Sequence, residues 1–183
     1  MRIKGLFLTL VALVALCTLN ACSQKPTTPP QDFKIGAQTV TFAAPDPALW
    51  QQQPNPNAEG AALVRFVPKD GSESFLSVSN MDMSPMTSWG ANPQARTELS
   101  NRLYDQILKR SEAQIEKREP QLAGEQGLEL EYTYQEGTER MWGRQLYFFH
   151  NNLFWTITCA APMSQQAPAQ AAYDGVVHSF QFK

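Results

Sequence analysis

The chain has few groups that could do chemistry: two histidines and three cysteines in 183 residues. Neither His150 nor His178 has a cysteine or second histidine at zinc spacing, so a zinc site finds no support. No Gly-x-Ser-x-Gly elbow, phosphate-binding glycine loop or dinucleotide glycine pattern occurs. Without these the sequence contains no recognisable nucleophile–base pair and no phosphate cradle. A basic excess is missing too. The chain carries 15 basic and 17 acidic side chains, a mildly acidic balance that excludes the electrostatic footprint of a nucleic-acid binder. The composition lacks the biases of collagen, coiled coils and polytopic membrane proteins, and no internal repeat at solenoid periods is visible. Long apolar runs are absent save one, at the amino terminus.

That run reads as a secretory signal over residues 1–21. Arg2 and Lys4 form a basic n-region, Gly5 to Thr18 is nearly all apolar, and Leu19-Asn20-Ala21-Cys22 follows at once. It is too short, and too closely followed by a processing site, to be a spanning helix. Leu19-Asn20-Ala21-Cys22 resembles a bacterial lipobox, which implies cleavage before Cys22, diacylation of its thiol and acylation of the new amino terminus. Each buried methylene of such chains adds about 0.8 kcal/mol, so several chains anchor firmly. Ser23, where an aspartate would resemble an inner-membrane retention signal, favours the outer membrane. Residues 22–33 are polar and proline-rich and are expected to form a disordered tether, with the globular domain at 34–183. Cys17 is lost with the signal, leaving Cys159 without a disulfide partner. It alternates with Trp155 and Ile157 on one strand face and reads as a buried, inert thiol.

Within the domain, Gln38 to Ala43 predicts a strand, and Ala44 to Gly60, with four prolines, predicts a loop plugged into the core by Leu49 and Trp50. Ala62 to Val67 and Glu73 to Ser79 predict a hairpin around Asp70-Gly71. Asn92-Pro93 begins a helix to about Arg110, with Leu99, Leu103, Ile107 and Leu108 on its apolar stripe. From Gly127 to Ala160 three strands follow one another. Placing Tyr134 opposite Glu139 sets Glu129 opposite Arg144, and makes Glu129 and Glu131, with Arg144 and Arg140, a solvated charged face. Trp142, Leu146 and Phe148 on one side of the second strand, and Met141, Tyr147 and Phe149 on the other, predict a sheet covered on both faces. Ser164 is expected to cap a last helix carrying Tyr173, Val176, Val177 and Phe180.

The order of these elements, together with Trp155-Thr156-Ile157-Thr158-Cys159-Ala160-Ala161-Pro162 and Val176-Val177-His178-Ser179-Phe180, resembles the PsbP/DcrB-like superfamily over residues 34 to 183. The resemblance implies an α+β fold, a single-domain three-layer α/β/α sandwich around an antiparallel sheet. Its members include a photosystem II extrinsic protein, DcrB-type envelope lipoproteins and cytoplasmic adaptors that chaperone secretion effectors. They are mostly binders and assembly factors, so the resemblance carries over no catalytic residue, and no cofactor is expected.

Two functional readings follow. The first is a non-enzymatic, lipid-anchored envelope protein facing the periplasm and binding an envelope protein partner or neutralising a toxin as an immunity-type lipoprotein, with Trp50, Met86 and Trp89 as the contact surface. The second is a small-ligand or Cu(I) binder. It would use the Met81–Trp89 loop, where Met81, Met83 and Met86 offer three soft thioethers, and the cleft beneath Ala44 to Gly60.

Overall fold

The computed structural model describes residues 28–54, 61–83, 93–110 and 115–183. The predicted signal, Cys22 and most of the expected tether lie outside these residues. Ordered structure starts earlier than expected, because strand β1 (Pro30–Ile35) begins inside the expected tether. Its proline occupies the first position of an edge strand, where no ladder hydrogen bond is needed from it, and Phe33 and Ile35 turn inward. Gly36, at positive φ, turns the chain into β2 (Gln38–Ala43), the strand predicted at those positions.

Short strand β3 (Trp50–Gln52) interrupts the expected loop. Trp50 is a core plug, but Leu49 is 56% exposed and is not. The hairpin β4 (Ala62–Pro68) and β5 (Phe75–Asp82) follows, then helix α1 (Pro93–Arg110), with the predicted bounds. Two short strands that the sequence pattern did not announce, β6 (Ile115–Arg118) and β7 (Gln121–Leu122), lead into the meander β8 (Glu125–Glu136), β9 (Glu139–His150) and β10 (Leu153–Pro162). Asn151 and Asn152, both at positive φ, form the two-residue turn that matches strand twist. A 3-10 turn (Met163–Gln165) precedes helix α2 (Gln166–Ser179), and β11 (Gln181–Phe182) closes the chain. Ser164 lies within that 3-10 turn and does not cap α2, whose N-cap residue is Gln165.

The large sheet is antiparallel, in the order β3-β4-β5-β10-β9-β8-β6, with β7 paired to β8. A small sheet, β1-β2-β11, packs with α2 over one face, and α1 lies on the other. This is the expected α+β sandwich, with one outer layer made of a helix and a second sheet together. The main core fills the α2 side, where Leu76, Val78, Trp142, Leu146, Phe148, Trp155 and Ile157 meet Val40, Phe42, Tyr173, Val176 and Phe180. A smaller cluster of Leu128, Leu130 and Tyr147 receives Leu103 and Ile107 of α1. The two faces of β9 divide as its alternation predicted.

The β8–β9 register corrects one expectation. A two-residue turn, Gly137-Thr138, sets Glu136 opposite Glu139 and Tyr134 opposite Met141, which places Glu131, not Glu129, across from Arg144. Gly137, at positive φ, permits that tighter turn.

Candidate functional site

Of the charged face expected to be solvated, Arg140 is exposed and Glu131 half-buried, but Glu129 and Arg144 are roofed by α2. Glu129 is 4% exposed. Its carboxylate accepts hydrogen bonds from the Tyr173 hydroxyl at 2.9 Å and from Arg144 Nη2 at 3.0 Å, reached diagonally from the neighbouring strand. Arg144 Nη1 also donates to Asp174 on α2 at 2.8 Å, and its guanidinium lies over the Tyr173 ring at 4.7 Å. Glu131 accepts from Trp142 Nε1 at 2.9 Å, and Arg118 bridges Glu129 and Glu131 from the open edge. Burial pushes the Tyr173 phenol well above its ordinary range, helped by the Glu129 charge, so it stays a proton donor. Burial alone would lower the Arg144 pKa, but the hydrogen bond and charge of Glu129 raise it overall. The cluster fastens α2 to the sheet. Its reach to solvent is through the Asp174 and Arg118 edge.

The opposite face of the sheet is open beside α1. A groove of about 440 Å³ runs there, within the size range of ligand sites. Its floor is built by alternation: Tyr132, Tyr134 and Glu136 of β8, Gln145 and Tyr147 of β9, Thr158 and Ala160 of β10 and Phe75 of β5 all point to this side. Leu103, Gln106 and Ile107 of α1 form one wall. Tyr132 and Tyr134 stand side by side, ring centroids 5.9 Å apart. Tyr132 lies over Gly143, its cross-strand partner, where a Cβ would meet the ring at 2.8 Å; only glycine admits the ring there. Burial, with the neighbouring Glu136 carboxylate, pushes the Tyr134 phenol up to about 12. The Tyr147 hydroxyl donates to Gln145 Oε1, which turns the Gln145 amide nitrogen to other acceptors. Among the described residues, Glu136 is the one acidic or basic side chain in the lining.

The remaining sequence candidates scatter. Trp50 is 5% exposed and forms a wall of a second groove, about 430 Å³, rather than part of a projecting patch. That groove is the cleft expected beneath the proline-rich segment; exposed Leu49, Lys69 and Pro168 line it, as does Ser74, whose buried hydroxyl has no hydrogen-bond partner among the described residues. Met83 is buried, whereas Met81 is 42% exposed. Met86 and Trp89 lie outside the described residues, as does Cys22. His150 is no free turn residue: its Nδ1 lies 2.9 Å from Glu125 Oε1 and its ring stacks on Phe182. His178 is exposed on α2.

Cys159 is buried as expected, its thiol within 3.5 Å of the Ala169 carbonyl, and burial pushes its pKa up. Native protein at pH 8 should therefore resist a thiol reagent and react only at the rate set by unfolding. Fast labelling of native Cys159, followed by absorbance, would contradict this burial.

Sequence reasoning missed both the buried cluster and the groove. Tyr132 and Tyr134 were legible as one face of β8, but α1 covers that face only in part, and α1 lies far away in sequence.

The antiparallel sheet with its two helices is an α+β single-domain fold similar to that of PsbP-like proteins. The solution structure of cyanobacterial PsbP (CyanoP) from Synechocystis is similar at a TM-score of 0.53 and 17% identity, over 90% of this chain and 99% of that one. A protein of Bacteroides thetaiotaomicron matches at a TM-score of 0.53 and 11% identity, over 84% of this chain and 48% of that one. LpqN, involved in cell envelope biogenesis of Mycobacterium tuberculosis, gives a TM-score of 0.48 at 11% identity, over 85% of this chain and 91% of that one. No protein-family model matches the chain, and no curated protein matches it by sequence. At such identities the likeness establishes the fold and nothing of the chemistry. Among the described residues no helix is long and apolar enough to cross a membrane.

Proposed function

We propose that this protein is a lipid-anchored envelope protein, periplasm-facing, that works without catalysis as a protein-interaction or assembly module. The observation that carries the reading is Leu19-Asn20-Ala21-Cys22 directly behind a basic and apolar leader, with a proline-rich stretch between it and a compact sandwich. Acyl chains on Cys22 hold the domain at a bilayer, and Ser23 favours the outer one. The tether holds the domain off the bilayer, where a partner can meet it. The tyrosine groove beside α1 supports this, because aromatic side chains with polar tips provide large, rigid contact area to a protein ligand.

The test is a crosslinked pull-down of the intact lipoprotein from its own envelope, with Cys22→Ser as control and mass spectrometry of the eluate. One dominant protein partner, lost with the anchor, is the expected result. A small molecule or copper co-purifying in place of any protein would reject it. The orphan Ser74 hydroxyl in the Trp50 groove is the observation that favours this second reading, a small-ligand binder. The thioether version of it has its own check: Cu(I) affinity should fall in each of Met81→Ala, Met83→Ala and Met86→Ala, and unchanged affinity ends it.

A further inference from the structure

The tyrosine groove defines the kind of segment it can take. We infer that it binds an extended, proline-rich segment of a partner protein, in the polyproline II conformation, with a basic side chain at the Glu136 end. The inference rests on the proposed interaction role and specifies its chemistry.

The length and direction of the groove come first. Its floor takes residues from four successive strands, β5, β10, β9 and β8. At about 4.8 Å per strand the floor spans roughly 14 Å. A polyproline II segment rises about 3.1 Å per residue, so four to five residues lie along it. Such a segment has three residues per turn and no internal hydrogen bonds, so its carbonyls seek donors outside. Along the floor and wall, the Gln145 amide nitrogen, the Gln106 amide and the Thr158 hydroxyl provide them.

The walls fit the side chains. Tyr132 and Tyr134 form a continuous aromatic surface, their rings 5.9 Å apart and inclined by 39°, and Phe75, Leu103 and Ile107 continue the apolar lining. Aromatic grooves of this type accept pyrrolidine rings, and the ligand loses little conformational freedom on docking because its backbone is already extended. A helix would not lie there, since it presents no free carbonyls to these amides.

Charge sets the polarity. Glu136, at the β8 end, is the one charged group in the lining among the described residues, and it attracts a lysine or arginine of the ligand. At the β5 end the cation Arg65 is laid over the Phe75 ring at 4.4 Å, which discourages a second basic residue there. An acidic segment meets Glu136 and is turned away.

The experiment is calorimetric titration of the full chain, in detergent micelles where acylated, with three synthetic probes. These are a proline hexapeptide ending in arginine, the same peptide ending in glutamate, and a glycine–serine peptide of equal length ending in arginine. The arginine-ended proline peptide should bind saturably, and the other two at least about tenfold more weakly. Tyr134→Ala should weaken it by about tenfold or more, and Glu136→Gln should abolish the preference for arginine over glutamate. Both side chains are at least partly exposed, so unchanged thermal midpoints would separate lost binding from lost folding. No saturable heat with either proline peptide at millimolar concentration overturns the inference, as does equal binding of the glycine–serine peptide. A neutral oligosaccharide that binds in place of the peptides overturns it as well. If the peptides fail while the pull-down still yields an anchor-dependent partner, this inference alone falls. If the pull-down yields none, the interaction role falls with it.

Discussion

Replacing Arg144 by leucine is expected to cost about 3–5 kcal/mol of folding stability, seen as a lowered denaturant midpoint at nearly unchanged slope. Among the described residues, Arg144 is the only cation placed between the Glu129 carboxylate and Asp174 on α2, at 3.0 and 2.8 Å. Arg118 lies at the exposed edge and reaches Glu129 at 3.5 Å, too far and too wet to take over. Without the guanidinium, Glu129 stays under α2 with the Tyr173 hydroxyl as its one close donor. The cost is that of a buried charge left without its partner, not the worth of the pair itself. Two controls divide these contributions. In Glu129→Leu/Arg144→Leu, both charges leave together, and most of the lost stability should return, because a buried ion pair against its apolar replacement is nearly neutral. Tyr173→Phe removes only the hydroxyl and should cost about 1–2 kcal/mol. If the double variant is as unstable as the sum of its single changes, the cluster is not a coupled pair and α2 is held by packing alone.

The comparison of sequence with structure turns on this same cluster. Alternation along β8 was legible, and so was the division of β9 into two apolar faces, because period two and burial act within one strand. Helix α1 was legible to its bounds, since Pro93 starts it and its apolar residues recur every four positions. What alternation cannot say is which neighbour covers a face. Glu129 and Glu131 look like a solvated face in isolation, as charges on alternate positions usually are. Glu129 is buried because α2, some 40 positions later, brings Tyr173 over it, while Glu131 stays half-buried at the edge. The turn register differs from the expected one for a local reason: Gly137-Thr138 makes a two-residue turn in place of a four-residue one, and that moves every cross-strand partner by two. Strands β6, β7 and β11 are two to four residues long, too short for any periodicity to register. The tyrosine groove belongs to the same class of miss, since an open face is defined by where α1 stops, which no residue of β8 encodes.

Truncating Phe180 to alanine should cost about 3–5 kcal/mol and should loosen one side of the sandwich before the rest. The physical reason is its place at the junction of three layers. Phe180 is the residue after α2, where the chain becomes extended to enter β11. Its ring is stacked on Phe42 of the small sheet, with centroids 6.2 Å apart, and meets Phe148 and Trp155 of the large sheet edge-on at 5.6 and 5.9 Å. Two further polar ties join the small sheet to the remainder nearby: Asn80 Nδ2 donates to the Ile35 carbonyl at 3.0 Å, and the Ala43 amide donates to the Ser179 hydroxyl at 2.7 Å. Each contributes about 1 kcal/mol, less than the aromatic junction. The cavity left by alanine is walled by Phe42, Phe148, Trp155 and Phe182, rigid rings that collapse poorly into it. Hydrogen exchange should then report the order of loosening. Amides of β2 and β11 should lose protection by an opening that leaves β9 and β10 protected, while the Glu129 cluster still holds the middle of α2. Uniform loss of protection across both sheets would mean that the layers melt as one unit and that Phe180 is an ordinary core residue. Leucine at the same position fills part of the volume and should recover about half of the loss; failure to do so would assign the effect to ring geometry, not to volume.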